Sequence, residues 1–175
     1  MPVSYNTLLV IVSAFIAVTA AYIALELSNK LLTARNAAHR FWLIGGAIAM
    51  GTGIWSMHFI AMLAFSVPIY ITYNLPLVFL SLVLAILASF QALSTVSQPK
   101  PSTKALLIGS GSMGIGIATM HYTGMAAAVF IPQPGKKVMV SGLDNTWLAY
   151  LVCIFTVLTM GMMLTILYSE SRQSS

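Results

Sequence analysis

The chain has 175 residues, of which 59% are hydrophobic and only 6% charged, with a mean hydropathy of +0.93. A soluble domain carries about a quarter of its residues charged, so this composition excludes one and specifies an integral membrane protein. The net charge of +5 rests on eight basic residues spread along the chain, too few for the basic stripe of a nucleic-acid partner, and nucleic-acid binding is excluded with it.

Crossing a hydrocarbon core takes about 20 apolar residues in a helix, and five windows reach that length: 6–27, 41–65, 75–93, 105–130 and 147–168. No alternating barrel pattern appears, so the expected fold class is an all-α integral membrane protein with five transmembrane helices. The first window has nothing basic before Lys30 and is too long for a signal-peptide core, so it reads as an ordinary span. Near its end Glu26 is placed to pair with Lys30 at i+4. Lys30, Arg35 and Arg40 then form a basic connection in which His39 reads as a solvated surface residue. The second span carries GAIAMGTGIWSMHFIAMLA, residues 46–64. The third supplies Ser81 and Gln91 and is followed by Lys100 and Lys104. The fourth carries GSGSMGIGIATMHYTGMAA, residues 109–127, and leads to a turn, PQPGKK, at 132–137. Asp144 is the one acid on that side, a guess for metal entry. The fifth span holds Thr156, Thr159 and Cys153, the last read as a small core residue.

Six basic residues (Lys30, Arg35, Arg40, Lys100, Lys104, Arg172) fall on one side of this arrangement and two, Lys136 and Lys137, on the other. The positive-inside rule therefore puts the N-terminus outside and the C-terminus in the cytoplasm. Trp42, Trp147, Tyr70 and Tyr73 lie near the expected boundaries, as an aromatic belt does; Trp55 lies inside the second span.

The segments of the second and fourth spans are copies. At a shift of 63 residues they agree at Gly46/Gly109, Met50/Met113, Gly51/Gly114, Gly53/Gly116, Ile54/Ile117, Met57/Met120, His58/His121, Met62/Met125 and Ala64/Ala127. The chain thus divides into parallel two-helix repeats within a single domain, 1–175: repeat 1 at about 6–66, repeat 2 at about 74–131 and a partial third at 147–169. An imidazole in hydrocarbon is expensive and marks function, and two at one repeat position suggest a shared task. Met62 lies one turn beyond His58 on the same face, as Met125 does beyond His121, while Met57 and Met120 point toward a neighbouring helix. Trp55, one turn before His58, is placed to wall the site. Gly109, Gly111, Gly114 and Gly116 would let the fourth span pack tightly.

Imidazole beside thioether is the donor set of a soft metal, so His58, Met62, His121 and Met125 form a candidate Cu(I) site. Haem held by two histidines is the rival. Zinc is less favoured without cysteine or carboxylate, and plain interhelical packing by histidine and methionine is the remaining alternative. For shared coordination the second and fourth spans must be neighbours, with the two imidazoles within roughly 4 Å of each other. A ligand would then shift one glycine-faced helix against the other, toward Arg40 and Lys104.

The strings GIWSMHFIAMLAF and GIATMHYTGMAA resemble the signature segments of the MHYT domain, and Met120-His121-Tyr122-Thr123 spells its motif; Phe59 stands where the second copy has Tyr122. The resemblance implies a sensory input domain of the bacterial inner membrane. It implies bound copper, a diatomic gas (oxygen, carbon monoxide or nitric oxide) as ligand, and a cytoplasmic signalling output domain or protein as partner. It places Met57, His58, Met62, Met120, His121, Tyr122 and Met125 in the site. No nucleophile-base pair or phosphate loop is present and the carboxylates number three, so the chain is not expected to be an enzyme. A haem-binding membrane protein, or a small transport or structural subunit without a metal, remains the alternative. Transport would need a polar path, for which the third and fifth spans offer Ser81, Gln91, Thr156 and Thr159.

Overall fold

The computed structural model describes residues 4–66, 70–98, 100, 102–131 and 143–173; the expected turn at 132–137, with Lys136 and Lys137, lies outside them. Five long helices carry the fold: α1 (Thr7–Thr33), α2 (Asn36–Ala64), α3 (Leu75–Val96), α4 (Thr103–Ala127) and α5 (Asn145–Gln173). Four of them, α1, α2, α3 and α5, are long and apolar enough to cross a membrane. α4 has comparable length, 25 residues, but its glycine, serine and threonine content makes it less hydropathic. The chain is a multi-pass, all-α membrane protein.

Polar caps set the helix starts. The Asn6 side chain accepts from the backbone N–H groups of Leu8 and Leu9, Asn74 from Leu77, Ser102 from Ala105, and Asp144 from Trp147. Asp144, which the sequence offered as a guess for metal entry, thus caps α5. Between α1 and α2 only Ala34 and Arg35 intervene, and Asn36 turns the corner at a φ of 52°, a left-handed conformation that asparagine tolerates better than most residues. The basic connection is therefore mostly helix, and α1 and α2 both extend past the apolar windows. His39 is half-buried rather than solvated, with its Nδ1–H donating to the Leu31 carbonyl at 3.3 Å across that corner.

At the opposite end, where α1, α3 and α5 begin and α2 and α4 finish, short strands tie the helices together. β1 (Ser4–Tyr5) pairs with β2 (Phe65–Ser66), and β3 (Tyr70–Tyr73) lies between β4 (Ala128–Ile131) and β5 (Leu143–Asp144), all antiparallel. Periodicity did not announce these strands, because each is shorter than a pattern can register.

The two repeats pack in one register. Tyr5 faces Phe65 and Tyr73 faces Ala128 across the strands. The Asn6 N–H donates to the Ala64 carbonyl at 2.9 Å, and the Asn74 N–H to the Ala127 carbonyl at 2.8 Å. Inside the bundle a Cβ on Gly46 would strike Leu27 and one on Gly109 would strike Thr95; a Cβ on Gly53 would strike Ala20 and one on Gly116 would strike Ala88. Within each pair the glycines let backbones approach closely, which in lipid is the main source of helix association.

The surroundings of the two pairs differ. α2 is the centre of the bundle, packed by α1, α3 and α5, whereas α4 lies along α3 and touches α2 only lightly. The expectation that α2 and α4 are neighbours is corrected accordingly: α3 separates them over most of their length. Gly51 shows why, since a Cβ there would lie 2.6 Å from the Ile86 Cα, so the α2 glycine face is filled by the α3 backbone. Gly111 and Gly114 have nothing within 4 Å of an added Cβ, so they do not make α4 pack tightly.

Side-chain hydrogen bonds supplement this packing. Trp55 Nε1–H donates to Ser81 Oγ at 3.0 Å, joining α2 to α3, and Ser56 bonds Thr156, joining α2 to α5. Lys30 pairs with Glu170 on α5 at 3.2 Å and not with Glu26. Of the aromatic residues expected at the boundaries Trp147 is exposed, whereas Trp42 is buried with the Lys30 ammonium 5.8 Å from its ring and Tyr73 is buried with its ring 6.2 Å from Phe59. Cys153 faces outward on α5, against its expected place in the core.

Candidate functional site

The packing of α2 and α4 against α3 brings two side chains of the copied segments together. His58 and His121 each stand six residues before the end of their helix, near the strand-bearing end. Their Nδ1 atoms are 3.2 Å apart, with ring centroids at 4.8 Å and planes at 73°. One nitrogen can donate to the other, or both can turn their lone pairs to a common acceptor of electrons.

The two rings reach this point from unlike surroundings. His58 is half-buried, and its Nε2 is buried without a hydrogen-bond partner among the described residues. A Cβ at Gly124 would lie 2.5 Å from that nitrogen, so α4 must present glycine there to admit the imidazole. Gly124 belongs to the site, and its signal was in the repeat: its counterpart in the first copy is Ala61. His121 is exposed.

Each histidine meets the aromatic ring that follows it: Phe59 edge-on at 5.1 Å from His58 and Tyr122 edge-on at 5.5 Å from His121. Phe59 is fully buried, whereas Tyr122 is 73% exposed. Phe59 rests on Trp55 at 5.1 Å and on Tyr73 at 6.2 Å. Trp55, at 0% exposure and with its indole N–H bonded to Ser81, sits behind Phe59 as structural backing. Burial pushes the Tyr73 phenol above its ordinary pKa range, so it stays protonated.

The methionines divide likewise. Met57 and Met62 are half-buried against the core, Met120 is buried, and Met125 is 42% exposed. Met62 and Met125 flank their histidines one turn farther along each helix. Among the described residues no group of three His, Cys, Asp or Glu side chains clusters as a metal site, so any ion at the histidine pair would need thioether or external ligands.

Three of the four side chains considered for a polar path are engaged in hydrogen bonds. Ser81 holds Trp55, Thr156 bonds Ser56, and Thr159 donates to the Phe155 carbonyl at 2.8 Å. Of the four only the Gln91 Oε1 is buried without a partner among the described residues.

Residues 51–109 and 114–175 match the MHYT family, described as "Bacterial signalling protein N terminal repeat". Curated relatives include the bifunctional diguanylate cyclase/cyclic di-GMP phosphodiesterase MucR of Pseudomonas aeruginosa, 50% identical over 129 residues, covering 74% of this chain and 19% of MucR. The signaling protein YkoW of Bacillus subtilis is 42% identical over 125 residues, covering 71% of this chain and 16% of its own length. The cyclic di-GMP phosphodiesterase NbdA of P. aeruginosa is 39% identical over 125 residues, with the same coverage of 71% and 16%. The chain spans less than a fifth of the length of these relatives. No solved structure matches it.

Proposed function

The chain belongs to the MHYT family, and we propose that it is the membrane sensory input module of a bacterial signalling protein, binding copper at His58 and His121 and responding to a diatomic gas or to redox state. The observation that carries this reading is the 3.2 Å separation of the two Nδ1 atoms. Two nitrogens each about 2 Å from one tetrahedral ion stand roughly 3.3 Å apart, so the pair is spaced as two ligands of a single ion. Met62 and Met125 would complete a soft donor set that favours Cu(I). The same spacing disfavours haem, whose axial ligands stand on opposite faces of a macrocycle.

Bound copper would supply an electron-rich centre for a diatomic ligand or a one-electron couple. The chain's own residues do the rest. Gly124 gives His58 room, Phe59 backed by Trp55 holds its ring, and the exposure of His121 and Tyr122 leaves the α4 side open to a small apolar gas dissolved in the membrane. A ligand biases the protein only by binding two arrangements differently. Here α2 would carry the bias, because Trp55 links it to α3 and Ser56 to α5. α3 intervenes between α2 and α4, so the shift passes through α3 rather than along a direct α2–α4 contact.

By the names of MucR and NbdA, the output would be synthesis or breakdown of cyclic di-GMP by a cytoplasmic domain or partner. The basic end of the bundle would face the cytoplasm and the strand-bearing end would face out. The test is metal content and optical spectrum of protein purified after copper supplementation under reducing conditions. Copper without a Soret band, with carbon monoxide bound at the metal in infrared spectra, is the expected result. Neither copper nor haem in the protein would overturn it.

A further inference from the structure

A second polar site lies at the basic end, far along the bundle from the histidines. α1 and α5 make only a light contact, and between them opens a cavity of about 310 Å³ lined by Tyr22, Glu26, Leu164, Leu167, Tyr168 and Ser171. Tyr22 and Glu26 are one turn apart on α1, and the α5 residues repeat at helical spacing, so each helix gives the cleft one face. The volume is within the range of small-molecule sites, about 300–1,000 Å³.

Glu26 is the informative residue. It is half-buried on a helix long and apolar enough to cross a membrane, and it has no hydrogen bond or ion pair among the described residues. Its expected partner, Lys30, is taken by Glu170. A carboxylate in such a place is expensive unless a cation or a set of donors reaches it. The cleft supplies an aromatic ring on each wall, Tyr22 and Tyr168, both more than half exposed, and aromatic faces attract cations. Beside the cleft the Arg172 guanidinium lies 5.2 Å from the Tyr168 ring. A negative group lining a cleft that has an aromatic ring on each wall is complementary to a headgroup carrying an ammonium.

We propose that the α1–α5 cleft binds a phospholipid with a zwitterionic, primary-amine headgroup, phosphatidylethanolamine in chemical class. The ammonium donates to the Glu26 carboxylate between the two tyrosine rings. The acyl chains run along Leu164 and Leu167 into the bilayer. Depth agrees, because Lys30 and Arg172 mark the interface one turn beyond Glu26 and Tyr168, where amphipathic rings concentrate. The lipid would brace α1 against α5.

Native mass spectrometry of the full chain, released from detergent after incubation with defined lipids, tests this. Wild type should retain phosphatidylethanolamine about tenfold more strongly than phosphatidylglycerol, the worth of one charge-assisted hydrogen bond. Retention should fall stepwise as the amine is mono-, di- and trimethylated, since each methyl group removes a donor to Glu26. Glu26→Gln should reduce phosphatidylethanolamine to the phosphatidylglycerol level and leave the latter unchanged. The headgroup series on wild type decides the matter even if Glu26→Gln fails to fold. Equal retention of the two lipids by wild type, undiminished retention in folded Glu26→Gln, or a dimer that Glu26→Gln dissociates would each overturn the assignment, the last by giving the cleft to a second copy.

Discussion

The α1–α2 and α3–α4 pairs share their internal contacts but have different neighbours, and the difference shows what a repeat determines and what it leaves to the bundle. Gly46 and Gly53 meet α1 where Gly109 and Gly116 meet α3, and the short strands close both pairs in the same register. Position then divides them. α2 is enclosed, so Trp55 and Phe59 are core, while α4 lies at the edge, so Tyr122 and His121 face outward. A symmetric sequence thereby produces an asymmetric site, one imidazole held from inside and one open.

The sharpest contrast is at Gly51 and Gly114, equivalent in sequence. Gly51→Ala drives a methyl into the α3 backbone at Ile86. Backbone cannot rotate away, so the overpacking should cost about 3 kcal/mol, at the upper end of such changes. Gly114→Ala meets open space and should be neutral or slightly stabilising. Thermal or denaturant unfolding in detergent measures both, and equal effects would break the comparison.

Exchanging the aromatic partners comes next. Phe59→Tyr buries a hydroxyl in a site fully enclosed by Trp55, Tyr73 and His58, at about 1–3 kcal/mol if no partner accepts it. Tyr122→Phe, on the exposed side, should leave the unfolding midpoint unchanged. A stabilised Phe59→Tyr would mean that the phenol finds a partner, and the two halves are then less distinct than their burial implies.

Much of this architecture was legible in the chain because its causes are local. Apolar length located the spans, and the Met-His repeat picked out the pair that the structure brings together. What could not be read depends on which helix neighbours which. The insertion of α3 between α2 and α4, the open faces of Gly111 and Gly114, and the pairing of Lys30 with Glu170 instead of Glu26 are long-range choices. Gly124 was visible only as a departure from Ala61, with nothing in the sequence to say that an imidazole required it. Trp55 lies near His58 in the chain, but its indole N–H is directed to Ser81 on another helix.

The smallest expected effect tests that indole bond. Ser81→Ala removes the acceptor at 3.0 Å while Val78 O remains at 3.3 Å. Interhelical hydrogen bonds in membranes average about 0.6 kcal/mol, so the loss should be at or below that figure, visible as a small shift of unfolding midpoint. Its repeat counterpart on α4 gives no comparison, since Ala118 replaces Trp55 there.

The central claim is that two unequal half-sites serve one ion, and copper stoichiometry in the single-histidine variants tests it most directly. Wild type, His58→Ala and His121→Ala would be loaded with Cu(I) under reducing conditions and the metal counted per folded chain. One copper in wild type, with most of it lost from each variant, is the predicted result. Two coppers in wild type with one lost per variant, or wild-type copper retained by both variants, would contradict it.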